Sequence, residues 1–171
     1  MGIRPWVTDE ERAADKRSAA SAAAADEQAR KDAAAEAAAR RLSFGEPFVF
    51  ENGLKVTVAR PGPFVPDEFA MGHAKGNKAI SVTVTVVNTG TERIEVETGL
   101  PDVTDADGAT AELLIDGSGR QKVITGYVLP GRQAVGTYAF SLPPAAADRV
   151  EVEFNPDAGR WDDAYWSGPT G

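Results

Sequence analysis

A chain of 171 residues, 42% hydrophobic and 26% charged, has room for one ordinary domain, or for a small domain with an appendage. It contains no cysteine, which excludes disulfides, thiolate metal sites and an acylated cysteine. No apolar run approaches the roughly 20 residues of a membrane-spanning helix, so no membrane insertion is expected. The formal charge of −8 is unevenly placed: residues 1–42 are neutral, and all the net acidity lies in 43–171. A negative surface repels phosphate backbones, so no nucleic-acid partner is expected.

The first segment, 1–42, begins Met1-Gly2-Ile3-Arg4-Pro5-Trp6-Val7 and shows no apolar signal core, so no secretory signal is expected. From Thr8 to about Arg41 it has no Gly, Pro, aromatic or large aliphatic residue, and nearly half of it is alanine. Alanine loses no side-chain entropy in a helix, so this composition predicts one long helix of roughly 50 Å. Thr8 and Glu11 fit a capping box, and Arg40 and Arg41 are placed in the last turn, where the macrodipole favours cations. Asp26–Arg30, Glu27–Lys31 and Glu36–Arg40 are acid-before-base pairs four residues apart.

Without Leu, Ile, Val or Phe, this helix cannot bury enough area to fold onto its own domain. It fits a solvated spacer. It also fits an alanine-seamed bundle, because Ala14, Ser18, Ala22, Ala25, Ala29 and Ala33 follow the 4-4-3-4-4 spacing of an eleven-residue repeat. A third reading docks it onto a larger assembly, with Ile3, Pro5, Trp6 and Val7 as an apolar plug.

The second segment, 43–171, changes to period two. Pro47–Glu51 and Leu54–Arg60 flank Asn52-Gly53, a hairpin signal in which both turn residues tolerate positive φ. Ala79–Asn88 sets Ile80, Val82, Val84 and Val86 on one face. Further strands are expected near Arg93–Val96, Pro101–Thr104, Thr110–Ile115, Gln121–Thr125 and Gln133–Leu142, and at Arg149–Phe154. Seven to nine short strands with turn signals between them predict an antiparallel β-sandwich preceded by a long helix.

Catalytic constellations are scarce. His73 is the one histidine, so a Ser-His-Asp triad would have to use it, and zinc or copper would lack ligands. Asp116-Gly117-Ser118-Gly119 lacks the strand-to-helix elbow of hydrolases and fits a turn. No nucleotide-cradling glycine motif occurs, and no cofactor is expected. Asp102, Asp105, Asp107 and Glu112 cluster about one turn and offer oxygen ligands for calcium, without the full twelve-residue loop pattern. Asp162 and Asp163 lie between Trp161 and Trp166, an arrangement that suits either a sugar-facing aromatic platform or core aromatics on a closing strand.

Gly45-Glu46-Pro47-Phe48 through Glu51-Asn52-Gly53-Leu54-Lys55-Val56-Thr57-Val58, then Arg60-Pro61-Gly62-Pro63-Phe64, Gly76-Asn77-Lys78-Ala79 and Val82–Asn88 resemble a known domain. Leu129-Pro130-Gly131-Arg132, Val150-Glu151-Val152 and Asp163-Ala164-Tyr165-Trp166-Ser167-Gly168 extend the likeness over 44–168. It is similar to an immunoglobulin-like domain of unknown function in actinobacterial surface lipoproteins, with copies in proteins of phages that infect those bacteria. The resemblance implies a sandwich, a surface-display setting and no catalytic residues.

Lipoprotein members carry a signal peptide and an acylated cysteine, whereas a capped helix stands here. The expectation is therefore a non-enzymatic virion accessory protein, a capsid decoration or tail-associated protein on the virion surface. Its helix would anchor it to the shell or tail or form a homo-oligomer. The alternative is a bacterial cell-envelope adhesion or binding module. A third reading is an enzyme or carbohydrate-binding domain around Trp161, Asp163 and Trp166.

Overall fold

The computed structural model describes residues 9–96, 100–157 and 160–171. The chain divides into two units, a helical one ending at Ala39 and a second from Arg40 to Gly171.

Helix α1 spans Asp9–Ala39, 31 residues. Residues 14–39 are solvent-exposed, as alanine and charged residues without an apolar stripe require. Glu27 and Lys31 form the expected ion pair at 3.3 Å, and Gln28 donates to Asp32 at 2.8 Å. The helix stops short of Arg40 and Arg41, contrary to expectation. Strand pairing captures that backbone instead: the Arg40 carbonyl accepts the Tyr165 N–H at 2.7 Å, and Arg41–Ser43 becomes strand β1. The unit boundary therefore falls at Arg40 and not at Ser43. Thr8 of the expected capping box lies outside the described residues, as do Ile3, Trp6 and Val7.

The second unit is an immunoglobulin-like β-sandwich. Its other strands are β2 (Pro47–Val49), β3 (Leu54–Val58), β4 (Gly62–Pro63), β5 (Lys78–Asn88), β6 (Ile94–Glu95), β7 (Asp102–Thr104) and β8 (Glu112–Leu114). They are followed by β9 (Tyr127–Val128), β10 (Gln133–Leu142), β11 (Arg149–Phe154) and β12 (Ala164–Pro169). One sheet runs β1-β12-β11-β7. The other runs β2-β3-β5-β10-β8, with β4 also on β5, and β6 pairs with β9 separately. All pairings are antiparallel except β1 with β12.

The period-two faces meet between the sheets. Leu54, Val56 and Val58, Ile80 through Val86 in alternation, and Val152 are fully buried there. Tyr138, Phe140, Leu142, Val150 and Phe154 belong to the same core, and Trp166 of β12 lies in it with no exposed surface. Trp166 Nε1–H donates to the Glu46 carbonyl at 2.8 Å, which satisfies the one polar atom that burying an indole would otherwise strand.

The hairpin between β2 and β3 forms by a different turn from the one expected. Only Gly53 has a positive φ, at 90°, and its N–H donates to the Phe50 carbonyl. This is the three-residue loop closed by a left-handed glycine, and Asn52 Oδ1 instead accepts the Leu54 N–H at 3.1 Å. No strand forms at Gln121–Thr125. Lys122 alone bridges Thr137, because the Ile124 N–H goes to the Tyr138 hydroxyl and the Gln121 side chain goes to the Leu114 carbonyl and the Asp116 N–H.

Candidate functional site

The helical unit presents the assembly residues named from sequence. Ala14, Ala22, Ala25, Ala29 and Ala33 are all exposed, as is Ser18. The seam spacing places them along one side of α1, because four- and three-residue steps return to the same helix face. Within the described residues no helix is long and apolar enough to cross a membrane.

The calcium expectation is corrected. Among the described residues no group of three or more His, Asp or Glu could hold a metal ion. The Asp105 carboxylate serves the turn itself: Oδ1 accepts the N–H groups of Asp107 and Ala109, each at 2.9 Å. Asp107 and Glu112 are exposed, and Asp102 sits on β7 facing Glu153 of β11 in register.

The aromatic platform is likewise corrected. Trp166 is core, and Trp161 is part-buried against that same core with its carbonyl accepting from the Asn155 amide. Trp161 Nε1 is buried with no hydrogen-bond partner among the described residues. Asp162 and Asp163 separate as adjacent residues in extended chain do: Asp162 pairs with Arg40 at 3.7 Å, while Asp163 is hydrogen-bonded to Glu153.

His73 has a structural partner. Its Nδ1 is hydrogen-bonded to Ser141 Oγ at 2.8 Å, and Asn77 Nδ2 donates to the same oxygen at 3.2 Å. Ser141 is buried, and no carboxylate holds the ring among the described residues. With Phe64 and Ala70 packed on Ala79, Leu114 and Ala139, these bonds strap the 64–77 loop over the back of the β5–β10 sheet. Ser118 is occupied in its own turn, its Oγ donating to Asp116 Oδ1 at 2.5 Å. That bond is the main reason the Asp116 carboxyl lies below its ordinary value.

Sequence reasoning missed the outer face of the β1-β12-β11-β7 sheet. Registers align Arg41, Tyr165, Glu153 and Asp102 in one row across four strands. Arg41 lies 5.1 Å from the Tyr165 ring centroid and 3.5 Å from the Glu151 carboxylate. Glu153 is pushed up to about 7, first by its hydrogen bond to Asp163, then by burial and the negative charge of Asp163, Asp102 and Glu151. The cross-strand signal was readable only once Ala164–Pro169 was known to pair with β11.

The folded state thus holds a proton that the unfolded chain releases near the ordinary 4.5. More protons bound in the folded state means stability falls as pH rises. The contribution is full below about 4.5 and lost as pH climbs to about 7. Thermal unfolding of native chain and Glu153→Gln should therefore give similar midpoints at pH 5 and a higher midpoint for the variant at pH 8. A native midpoint equal to or above the variant's at pH 8 would contradict this.

No protein-family model and no curated protein matches the sequence. Solved structures do share its fold. The ycdA protein from Bacillus subtilis aligns with a TM-score of 0.59 at 12% identity, over 72% of this chain and 38% of its own. The yjhA protein from the same bacterium gives 0.58 at 15%, over 73% and 97%. MPT63, a secreted protein from Mycobacterium tuberculosis, gives 0.55 at 15%, over 75% and 96%. At such identities the likeness shows the fold, a β-sandwich that this chain carries after an N-terminal helix.

Proposed function

We propose that the chain is a non-enzymatic structural and display protein, a virion accessory protein in which helix α1 oligomerises and anchors the chain and the acidic sandwich is carried outward. The observation that carries this reading is the exposure of 26 consecutive positions of α1, residues 14–39. An alanine-rich helix of 31 residues is long enough to form alone, since it exceeds the roughly 12–15 residues below which isolated helices are marginal. Its small side chains let a second helix approach closely, and its seam repeats every eleven residues.

The sandwich has a closed core and offers no assembled triad among the described residues. That favours a scaffold over an enzyme. The resemblance of 44–168 to a domain found in actinobacteriophage proteins supports the virion setting. The shared fold with a secreted mycobacterial protein favours the second reading, a cell-envelope adhesion or binding module.

Fractionation of a phage-producing culture of the source bacterium separates the two. Mass spectrometry should find the chain banding with intact particles in a density gradient, at a fixed ratio to the major shell protein. Recovery in washed envelopes with none on particles would overturn the virion reading in favour of the module.

A further inference from the structure

A pocket of about 220 Å³ opens beside β1 and β12, lined by Ser43, Phe44, Arg60, Arg149, Ser167, Gly168 and Pro169. We propose that it binds the phosphoryl group of a small phosphorylated solute. The register of the parallel pair sets Ser43 beside Ser167, and the antiparallel register of β11 sets Arg149 opposite Pro169, one step further along β12's outer face. Two hydroxyls and two guanidiniums are thereby gathered at one opening, a donor set that matches a tetrahedral oxyanion.

Arg60 is held in place through the end of the chain. Its Nη2 donates to the Thr170 carbonyl at 3.0 Å, while the Thr170 N–H donates to the Asp148 carbonyl at 3.0 Å and its Oγ1 to Ala147 at 2.7 Å. The Gly171 N–H donates to the Pro61 carbonyl at 2.7 Å, so the loop bearing Arg60 and the final residues are tied together.

Charge sharpens the inference. Residues 43–171 carry 18 acidic and 10 basic groups, yet neither Arg60 nor Arg149 is within ion-pair distance of a carboxylate among the described residues. Glu151 lies opposite Ser167 in register on that face, and Arg41 engages its carboxylate at 3.5 Å. Arg149, and the Arg60 donors not given to the Thr170 carbonyl, are thereby left to meet an anion. At about 220 Å³ the pocket is below the ordinary range for a whole cofactor, roughly 300–1,000 Å³, and suits a head group. The domain's net negative charge opposes an anionic membrane surface, which favours a solute over a lipid bilayer.

The test is a titration of the full chain with inorganic phosphate, read by backbone amide shifts in two-dimensional NMR, beside sodium chloride at matched ionic strength. Saturable shifts at Ser43, Ser167 and Gly168 with phosphate alone are expected, weakened at least tenfold by Arg149→Ala. Arg149 has an exposed side chain, so the variant should fold, and unchanged shifts elsewhere in the spectrum verify that. Equal shifts with chloride, or undiminished binding by Arg149→Ala, would overturn the proposal. Co-sedimentation with phosphatidylglycerol vesicles in place of phosphate binding would overturn it too.

Discussion

Trp166→Ala should lower the unfolding free energy of the sandwich by about 3–5 kcal/mol, the range for removing a large aromatic from a core. The side chain has no exposed surface and packs in the cluster formed by both sheets. Its loss leaves a cavity that the flanking strands cannot close without breaking register, and it strips the Glu46 carbonyl of its donor. A domain's whole stability is of order 5–15 kcal/mol, so the variant should be largely unfolded at 37 °C if the sandwich lies low in that range. Urea unfolding can be followed by tryptophan fluorescence in a Trp6→Phe background, in which Trp161, packed against the same core, remains in every variant. Trp166→Phe keeps most of the volume while losing the hydrogen bond, and should fall between native and alanine variant. A change under about 1 kcal/mol for Trp166→Ala, the size of a surface substitution, would mean the indole is not core.

The strands whose side chains alternate were legible, because burial on one face imposes period two directly on sequence. Ile80, Val82, Val84 and Val86 are all fully buried, as the alternation of β5 requires. Gln133–Leu142 and Arg149–Phe154 coincide with strands β10 and β11. Elements whose partners are distant in sequence were not legible. Arg41–Ser43 carries no strand signal and pairs because β12, more than 120 residues on, offers it an edge. The alanine run beside it argued for continuing the helix, and tertiary pairing overrode that local propensity.

Asn88 shows the same limit at a loop. Sequence marks it as the end of a strand, whereas the structure makes it the fully buried hub of that end of the sandwich. Its amide donates to the carbonyls of Glu92 at 2.7 Å and Val128 at 2.8 Å, and its Oδ1 accepts the Gly90 N–H at 2.9 Å. Polar residues grouped in sequence misled in the opposite direction. Asp102, Asp105, Asp107 and Glu112 read as oxygen ligands, but Asp105 spends its carboxylate on its own turn and the others face elsewhere. The carboxylates that do influence one another, Glu153, Asp163, Asp102 and Glu151, come from three separate stretches of chain.

On the proposed role of α1 as the assembly element, charge placed in its alanine seam should dissociate the oligomer. Ala25→Arg puts a long cation where two helix backbones must approach closely, and a buried unpaired charge is costly. Ala20→Arg, on the other side of the same helix, carries the same charge and similar helix propensity. The first should weaken self-association at least tenfold, equivalent to about 1.4 kcal/mol, while the second leaves it near native. Equal effects from both would show that charge alone, and not the seam, governs association. Circular dichroism on each variant keeps loss of helix distinct from loss of assembly.

The most direct test is the solution mass, by light scattering, of the full chain beside a chain of Arg40–Gly171. The cut must fall before Arg40, because a later start would remove β1 and the carbonyl that receives the Tyr165 N–H. With a subunit mass of 18.0 kDa, the full chain should scatter as two or more whole subunits and the shortened chain as a single one. Two single-subunit masses, or an oligomer that survives removal of the helix, would contradict the role of α1 as the assembly element.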